Sequence, residues 1–219
     1  MKKLFLAVTV LCVLFAAASV SAKVLVEEDF EQVDLGKLPA GWEIISGEPG
    51  VYSEQAYSGN KALRIQPPAD NASGVLDYVY VPFETQYDKV VVEYMVYTPG
   101  TAGRGLAFSV SRQVYEPDPV ETYANEAGPY LCVRNGKLSY FSGTWADLML
   151  DFDTTQWNKV KVEVDVKAQS FTVYVNDVEV GQGRFRSPVD SLGLAVFTIF
   201  QTGGPSEVAW VDDVKVYVP

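Results

Sequence analysis

Residues 159–166 read KVKVEVDV, in which Val160, Val162, Val164 and Val166 alternate with Lys159, Lys161, Glu163 and Asp165. Successive side chains of an extended chain point to opposite faces, so this period of two predicts a strand with one dry and one wet side. The same reading extends outward in both directions. Downstream, Ser170–Val175 and Val178–Val180 flank Asn176-Asp177, residue types that tolerate the positive φ of a two-residue hairpin turn. Upstream, Leu131–Arg134 and Lys137–Phe141 flank Asn135-Gly136, the strongest short hairpin signal there is. Further alternating or apolar runs stand at Lys23–Phe30, Trp42–Ile45, Ala62–Ile65, Val75–Val81, Lys89–Tyr97, Leu106–Val110, Leu192–Phe200 and Val208–Val218. Pro67-Pro68, Pro99-Gly100 and Gly203-Gly204-Pro205 punctuate them. The best helix candidate, Ala146–Leu150, is too short to matter. About twelve short strands predict an all-β, two-sheet antiparallel sandwich, because each sheet has to bury one face.

The chain has 219 residues, 48% of them hydrophobic, enough for one core, and no composition break or linker divides it. Its 17 Lys+Arg against 28 Asp+Glu leave a formal charge of −11, which argues against nucleic acid and anionic lipid as partners. There is no His, so Ser-His-Asp and Cys-His engines and His-ligated zinc are excluded. Residues 1–22 combine Lys2 and Lys3, an apolar run and the small-residue end Val20-Ser21-Ala22, the pattern of a secretory signal cleaved before Lys23. The apolar stretch Leu4–Ala18 is shorter than the ~20 residues that span a bilayer. The expectation is therefore a secreted or periplasmic single domain, residues 23–219, with no membrane span after signal removal. Cys12 leaves with the signal, and Cys132, between Leu131 and Val133, reads as a small buried residue.

Four segments carry a family resemblance. DFEQVDLGKLPAGWEI (Asp29–Ile44), SGNKALRI (Ser58–Ile65), WNKVKVEVDVKAQSFTVYVND (Trp157–Asp177) and WVDDVKVYV (Trp210–Val218) together resemble a concanavalin A-like, laminin G-type jelly roll of an exported bacterial protein. The opening and closing segments also resemble some bacterial carbohydrate-binding modules. The resemblance implies a jelly-roll sandwich and either glycan or glycoprotein recognition or, in enzymatic branches, polysaccharide cleavage. Laminarinase-like members carry three carboxylates along one strand; here Glu163 and Asp165 match and Lys167 stands in the third place, so the acid/base is missing. Asp151 and Asp153 share a face, yet no third group positions them, and they read as turn caps. The reading leans away from an enzyme.

Binding asks less of the residues. The longest irregular stretch, Gln113–Ala127, carries Tyr115, Glu116, Asp118, Glu121, Tyr123 and Asn125, and Tyr140, Phe141 and Trp145 follow the next hairpin. Aromatic rings stack on the apolar faces of sugars while carboxylates and amides bond the hydroxyls, so Tyr115, Glu116, Glu121, Tyr123, Asn125, Tyr140 and Trp145 are the candidate ligand-binding residues. Trp42, Trp157 and Trp210 lie in strand motifs and are expected in the core. The charge predicts a neutral polysaccharide, with Arg104, Arg112 and Arg134 as local exceptions. Two other classes stay open: an adhesive envelope protein that binds another protein, and an unfamiliar enzyme using acidic pairs from its loops. The resembled jelly rolls commonly hold a structural calcium where first and last strands meet. Glu28, Asp29 and Glu31 at one end and Asp212 and Asp213 at the other supply hard oxygen ligands for it, with Asp212 pointing inward beside Val214 and Val216.

Overall fold

The computed structural model describes residues 22–66, 76–99, 104–113, 126–200 and 208–219. Within them the chain forms fifteen strands and no helix. In order these are β1 (Lys23–Glu28), β2 (Glu43–Ser46), β3 (Gly50–Tyr52), β4 (Ala62–Ile65), β5 (Leu76–Gln86), β6 (Lys89–Tyr97), β7 (Arg104–Ser111), β8 (Ala127–Arg134), β9 (Lys137–Phe141), β10 (Trp145–Met149), β11 (Asn158–Asp165), β12 (Ser170–Val175), β13 (Val178–Arg184), β14 (Leu192–Phe200) and β15 (Ala209–Val218). Two antiparallel sheets result. Sheet A runs β13-β12-β11-β6-β15-β4-β3, with β1 also paired to β15; sheet B runs β10-β9-β8-β7-β14-β5-β2. The chain crosses between sheets at β1–β2, β2–β3, β4–β5, β5–β6, β6–β7, β10–β11, β13–β14 and β14–β15, a jelly-roll-like alternation.

The KVKVEVDV stretch is β11 and its continuation. Val160, Val162, Val164 and Val166 are buried between the sheets, while Lys159, Lys161, Glu163 and Asp165 lie on the open side. Across the core Phe197 stacks parallel to Trp42 at 6.2 Å, and Tyr94 meets it edge-on at 5.2 Å. Both expected hairpin turns form with positive φ at both central residues, 50° and 71° at Asn135-Gly136 and 50° and 64° at Asn176-Asp177.

The structure corrects three details. The segment weighed as a helix is β10, held to β9 through pairs such as Trp145 with Phe141; a short apolar run takes whichever form its neighbours can pair with. The strand read as ending at Val81 continues as β5 to Gln86 despite Pro82, because beyond Tyr80 it has left β2 and an edge position tolerates a residue without an N–H. Trp42 and Trp210 are buried, but Trp157 is only half-buried, since it is in phase with Lys159 and Lys161 rather than with the valines.

Candidate functional site

The candidate site begins with a break in the register of β15. Trp210, Val211 and Asp212 pair with Tyr97, Val96 and Met95 of β6, but the next partner of Glu93 is Lys215, so β15 advances three residues while β6 advances two. This is a bulge, with Asp213 at φ 46°. The extra residue resets the alternation: Val211, Val214 and Val216 all reach the core, whereas Trp210 and Asp212 face the outside of sheet A. Asp212 therefore does not share a face with Val214 and Val216 as the unbroken alternation had implied.

Although it faces outward, Asp212 is fully buried, because the turn between β3 and β4 lies over it. Its Oδ2 accepts the backbone N–H of Tyr57 at 2.8 Å and of Ser58 at 3.1 Å, and its Oδ1 accepts that of Asp213 at 2.8 Å. Burial pushes its pKa up to about 6 against the pull of these three N–H groups. A second carboxylate grips the same turn: Glu31 Oε1 accepts the N–H of Asn60 at 2.8 Å and of Lys61 at 2.7 Å, which holds Glu31 below the usual carboxylate range. Gly59, at φ 60°, is the residue the turn requires, since a Cβ there would collide with the Glu31 carboxyl group. The clasped turn presents Tyr57 to solvent, 54% exposed.

Beside Tyr57 opens a cleft of about 680 Å³. Met95 and Val214 are among its lining residues, with others from the end of β1, the bulge, β6 and β11. Cations match some of the acids: Lys215 bonds Glu27 at 2.8 Å, and Lys159 bonds Glu93 at 3.2 Å. The hydroxyl of Tyr217 also donates to Glu93 at 2.6 Å. Three wall carboxylates have no cationic partner among the described residues. Glu28 accepts the N–H of Phe30 at 2.7 Å, Asp29 that of Glu31 at 3.1 Å, and Asp213 the hydroxyl of Ser58 at 2.8 Å. Burial raises the pKa of Glu28. Phe30 itself is buried with φ 61°, an uncommon conformation for a non-glycine residue, and packs edge-on against Trp42 at 5.5 Å. On the rim Trp157 joins Tyr57 at 6.1 Å and Tyr97 at 5.7 Å. Exposed rings beside partly free carboxylates can stack on an apolar face and accept hydrogen bonds from hydroxyls.

This cleft was not foreseen as a ligand site, although three residues read as metal ligands, Glu28, Asp29 and Asp213, line it. The available signal was the phase of Trp157; no local signal places Tyr57 there. The other two metal candidates, Glu31 and Asp212, have turned their oxygens to the β3–β4 turn. Among the described residues no three acidic side chains stand close enough to form a ready-made cation site. Of the expected groove, Tyr115, Glu116, Glu121, Tyr123 and Asn125 lie outside the described residues. Tyr140 and Trp145 fall on opposite faces of sheet B: Tyr140 packs edge-on against Phe171 at 5.7 Å on the core side, because Trp145 pairs with Phe141 and shares its outward phase. Trp145 stands with Phe141 at 5.2 Å and Tyr130 at 6.1 Å on the outer face. Glu163 is bonded by Lys161 at 2.7 Å, Asp165 caps the N–H of Ala168 at 2.8 Å, and Asp153 caps Thr155 at 2.9 Å.

No family model matches the sequence, and no curated protein matches it by sequence. Solved structures share its fold. A sialidase superposes with a TM-score of 0.66 at 16% identity over 89% of this chain, a span that covers 18% of the sialidase. A carbohydrate esterase from the Shiga toxin-encoding bacteriophage phi24B gives 0.62 at 15% identity, covering 90% of this chain and 99% of that one. The carbohydrate recognition domain of Emp47p gives 0.56 at 14% identity, covering 90% and 97%. At such identities the likeness is one of fold: the chain is an antiparallel β-sandwich built like these proteins.

Proposed function

We propose that this chain is an exported, noncatalytic carbohydrate-binding domain that takes a neutral glycan in the cleft beside Tyr57. The observation that carries the reading is the clasped turn. Two carboxylates, Asp212 and Glu31, take four backbone N–H groups from residues 57–61, which fixes an exposed tyrosine over a cleft walled by hydrogen-bond acceptors. A pre-organised ring loses little conformational entropy when a sugar stacks on it. The names of the similar structures, which include a carbohydrate esterase and a carbohydrate recognition domain, support a sugar ligand of this kind. In this reading residues 1–22 are the export signal. It also includes a calcium ion joining the chain ends, for which Glu28, Asp29 and Asp213 are the wall carboxylates without a cationic partner.

A glycan array, followed by titration calorimetry with the best neutral oligosaccharide, tests the proposal. Tyr57→Ala is expected to weaken binding by about 1–3 kcal/mol, the scale of a stacked aromatic at an interface, with the melting temperature nearly unmoved. Unchanged affinity in Tyr57→Ala removes the cleft from the reading. Steady release of reducing ends from a polysaccharide panel removes the word noncatalytic.

A further inference from the structure

The outer face of sheet B holds two arginines in an unusual setting for so acidic a chain. Arg134, at the end of β8, lays its guanidinium over the ring of Trp145, 4.5 Å from the centroid. Arg186, just after β13, is fixed beside β8 by its backbone N–H, which donates to the carbonyl of Gly128 at 2.8 Å. Its guanidinium lies 4.8 Å from the Tyr130 centroid and 5.3 Å from that of Phe141. Since Tyr130 and Phe141 both contact Trp145, one three-ring floor carries both cations. Stacking uses the faces of the guanidinium groups and leaves their edges, with up to five N–H donors each, for other partners.

Among the described residues no acid takes up those edges. Among the described residues no carboxylate forms an ion pair with either arginine, and Nη1 of Arg134 is buried with no hydrogen-bond partner. The acid whose charge Arg134 influences, Asp147, is taken by Lys137 at 2.8 Å and Ser139 at 2.7 Å. Other cations stand against acids, as Arg112 does with Glu126 at 3.0 Å and Arg64 with Glu54 at 3.4 Å. In a chain with 28 acidic residues against 17 basic ones, two guanidinium groups that share one aromatic floor and have no acid beside them among the described residues point to a ligand rather than to surface solubility. The fork of a guanidinium fits a planar carboxylate, and the rings beside it fit the apolar face of a pyranose.

We propose that Arg134 and Arg186, over Tyr130, Phe141 and Trp145, form a second sugar site that binds the carboxylate of an acidic sugar, a uronate or a sialate. The proposal rests on the glycan-binding reading but not on the cleft, which lies on the other sheet. Titration calorimetry with trigalacturonate, sialyllactose, lactose and a sulfated heparin hexasaccharide, all in chelator, tests it on wild type, Arg134→Ala, Arg134→Lys, Arg186→Ala and Tyr57→Ala, each first shown to melt like wild type. At least one carboxylate sugar is expected to bind and lactose not to bind at this site. Either alanine variant should weaken that binding at least about tenfold, as loss of a charge-assisted fork implies. Arg134→Lys should fail to restore it, and Tyr57→Ala should leave it unchanged. Neutral-sugar binding lost in Tyr57→Ala alone, with no acidic sugar bound, keeps the cleft and overturns this site. Acidic-sugar binding indifferent to both arginine variants, or matched by the sulfated hexasaccharide, overturns it as well.

Discussion

Asp212 shows how one side chain couples stability to pH. In the unfolded chain its carboxyl titrates near the ordinary 3.8, and burial in the fold raises this to about 6. The folded state thus holds the proton more tightly, so the contribution of this group is full below about pH 3.8 and is lost as pH rises through about 6. Glu31, Asp147 and Asp153 have the opposite sign, their pKa values being lowered, and their contributions are lost only on acidification below the ordinary carboxylate range. The window from pH 7.5 to 5 therefore separates the two kinds of group. The melting temperature of the wild type is expected to rise across that window on acidification, and Asp212→Asn should flatten much of the rise. An undiminished rise in the variant would assign the titration to another group, with Glu28, also raised by burial, first in line.

Among the elements, the hairpin of β12 and β13 depends on one missing side chain. Phe171 pairs with Gly183, and a Cβ on Gly183 would come within 2.3 Å of Cζ of the phenyl ring. That ring is buried and braced edge-on by Tyr140 across the core, so it cannot swing aside freely. Gly183→Ala is expected to cost about 1–3 kcal/mol, as overpacking of a filled core does. Thermal melts of Gly183→Ala, Phe171→Ala and the double variant make the check: the double variant should lose clearly less than the sum of the singles, because without the ring the methyl group has nothing to strike. Additive losses would mean that Gly183 matters for its backbone alone.

At the scale of the molecule, sheet A joins the first described strand, β1, to the last, β15. Val24 pairs with Tyr217 and Glu28 with Val214, so the acids that follow β1 are brought to the bulge of β15. The result concentrates negative charge on one wall of the cleft in a chain already at −11. A divalent cation drawing Glu28, Asp29 and Asp213 together would relieve that repulsion. If calcium binds there only in the folded state, a hundredfold excess over its dissociation constant adds about 2.7 kcal/mol by mass action. The expected outcome is a melting curve in excess calcium above the curve in chelator, with the gap lost in Asp213→Asn. Superimposed curves remove calcium from the reading.

The strands were legible in the chain itself. The phase of KVKVEVDV and the hairpin pairs Asn135-Gly136 and Asn176-Asp177 are local properties, decided within a few residues by the geometry of an extended backbone; the same phase puts Trp157 outward, although its strand motif had been read as core. The outward phase of Phe141 and Trp145 became readable only once the pairing of β9 with β10 was known, since a five-residue segment has no period strong enough to name its own fold. The cleft lies further still from local reading. The bulge that turns Asp212 away from Val214 is an event between β15 and β6, and the clasp joins residue 212 to residues 57 and 58. Alternation along one strand carries no information about an inserted residue whose partner lies on another. The acids at the two chain ends were visible as a set, but whether their oxygens face backbone N–H groups, lysines or an open cleft is decided by which turn folds over them, and that is a property of the tertiary structure alone.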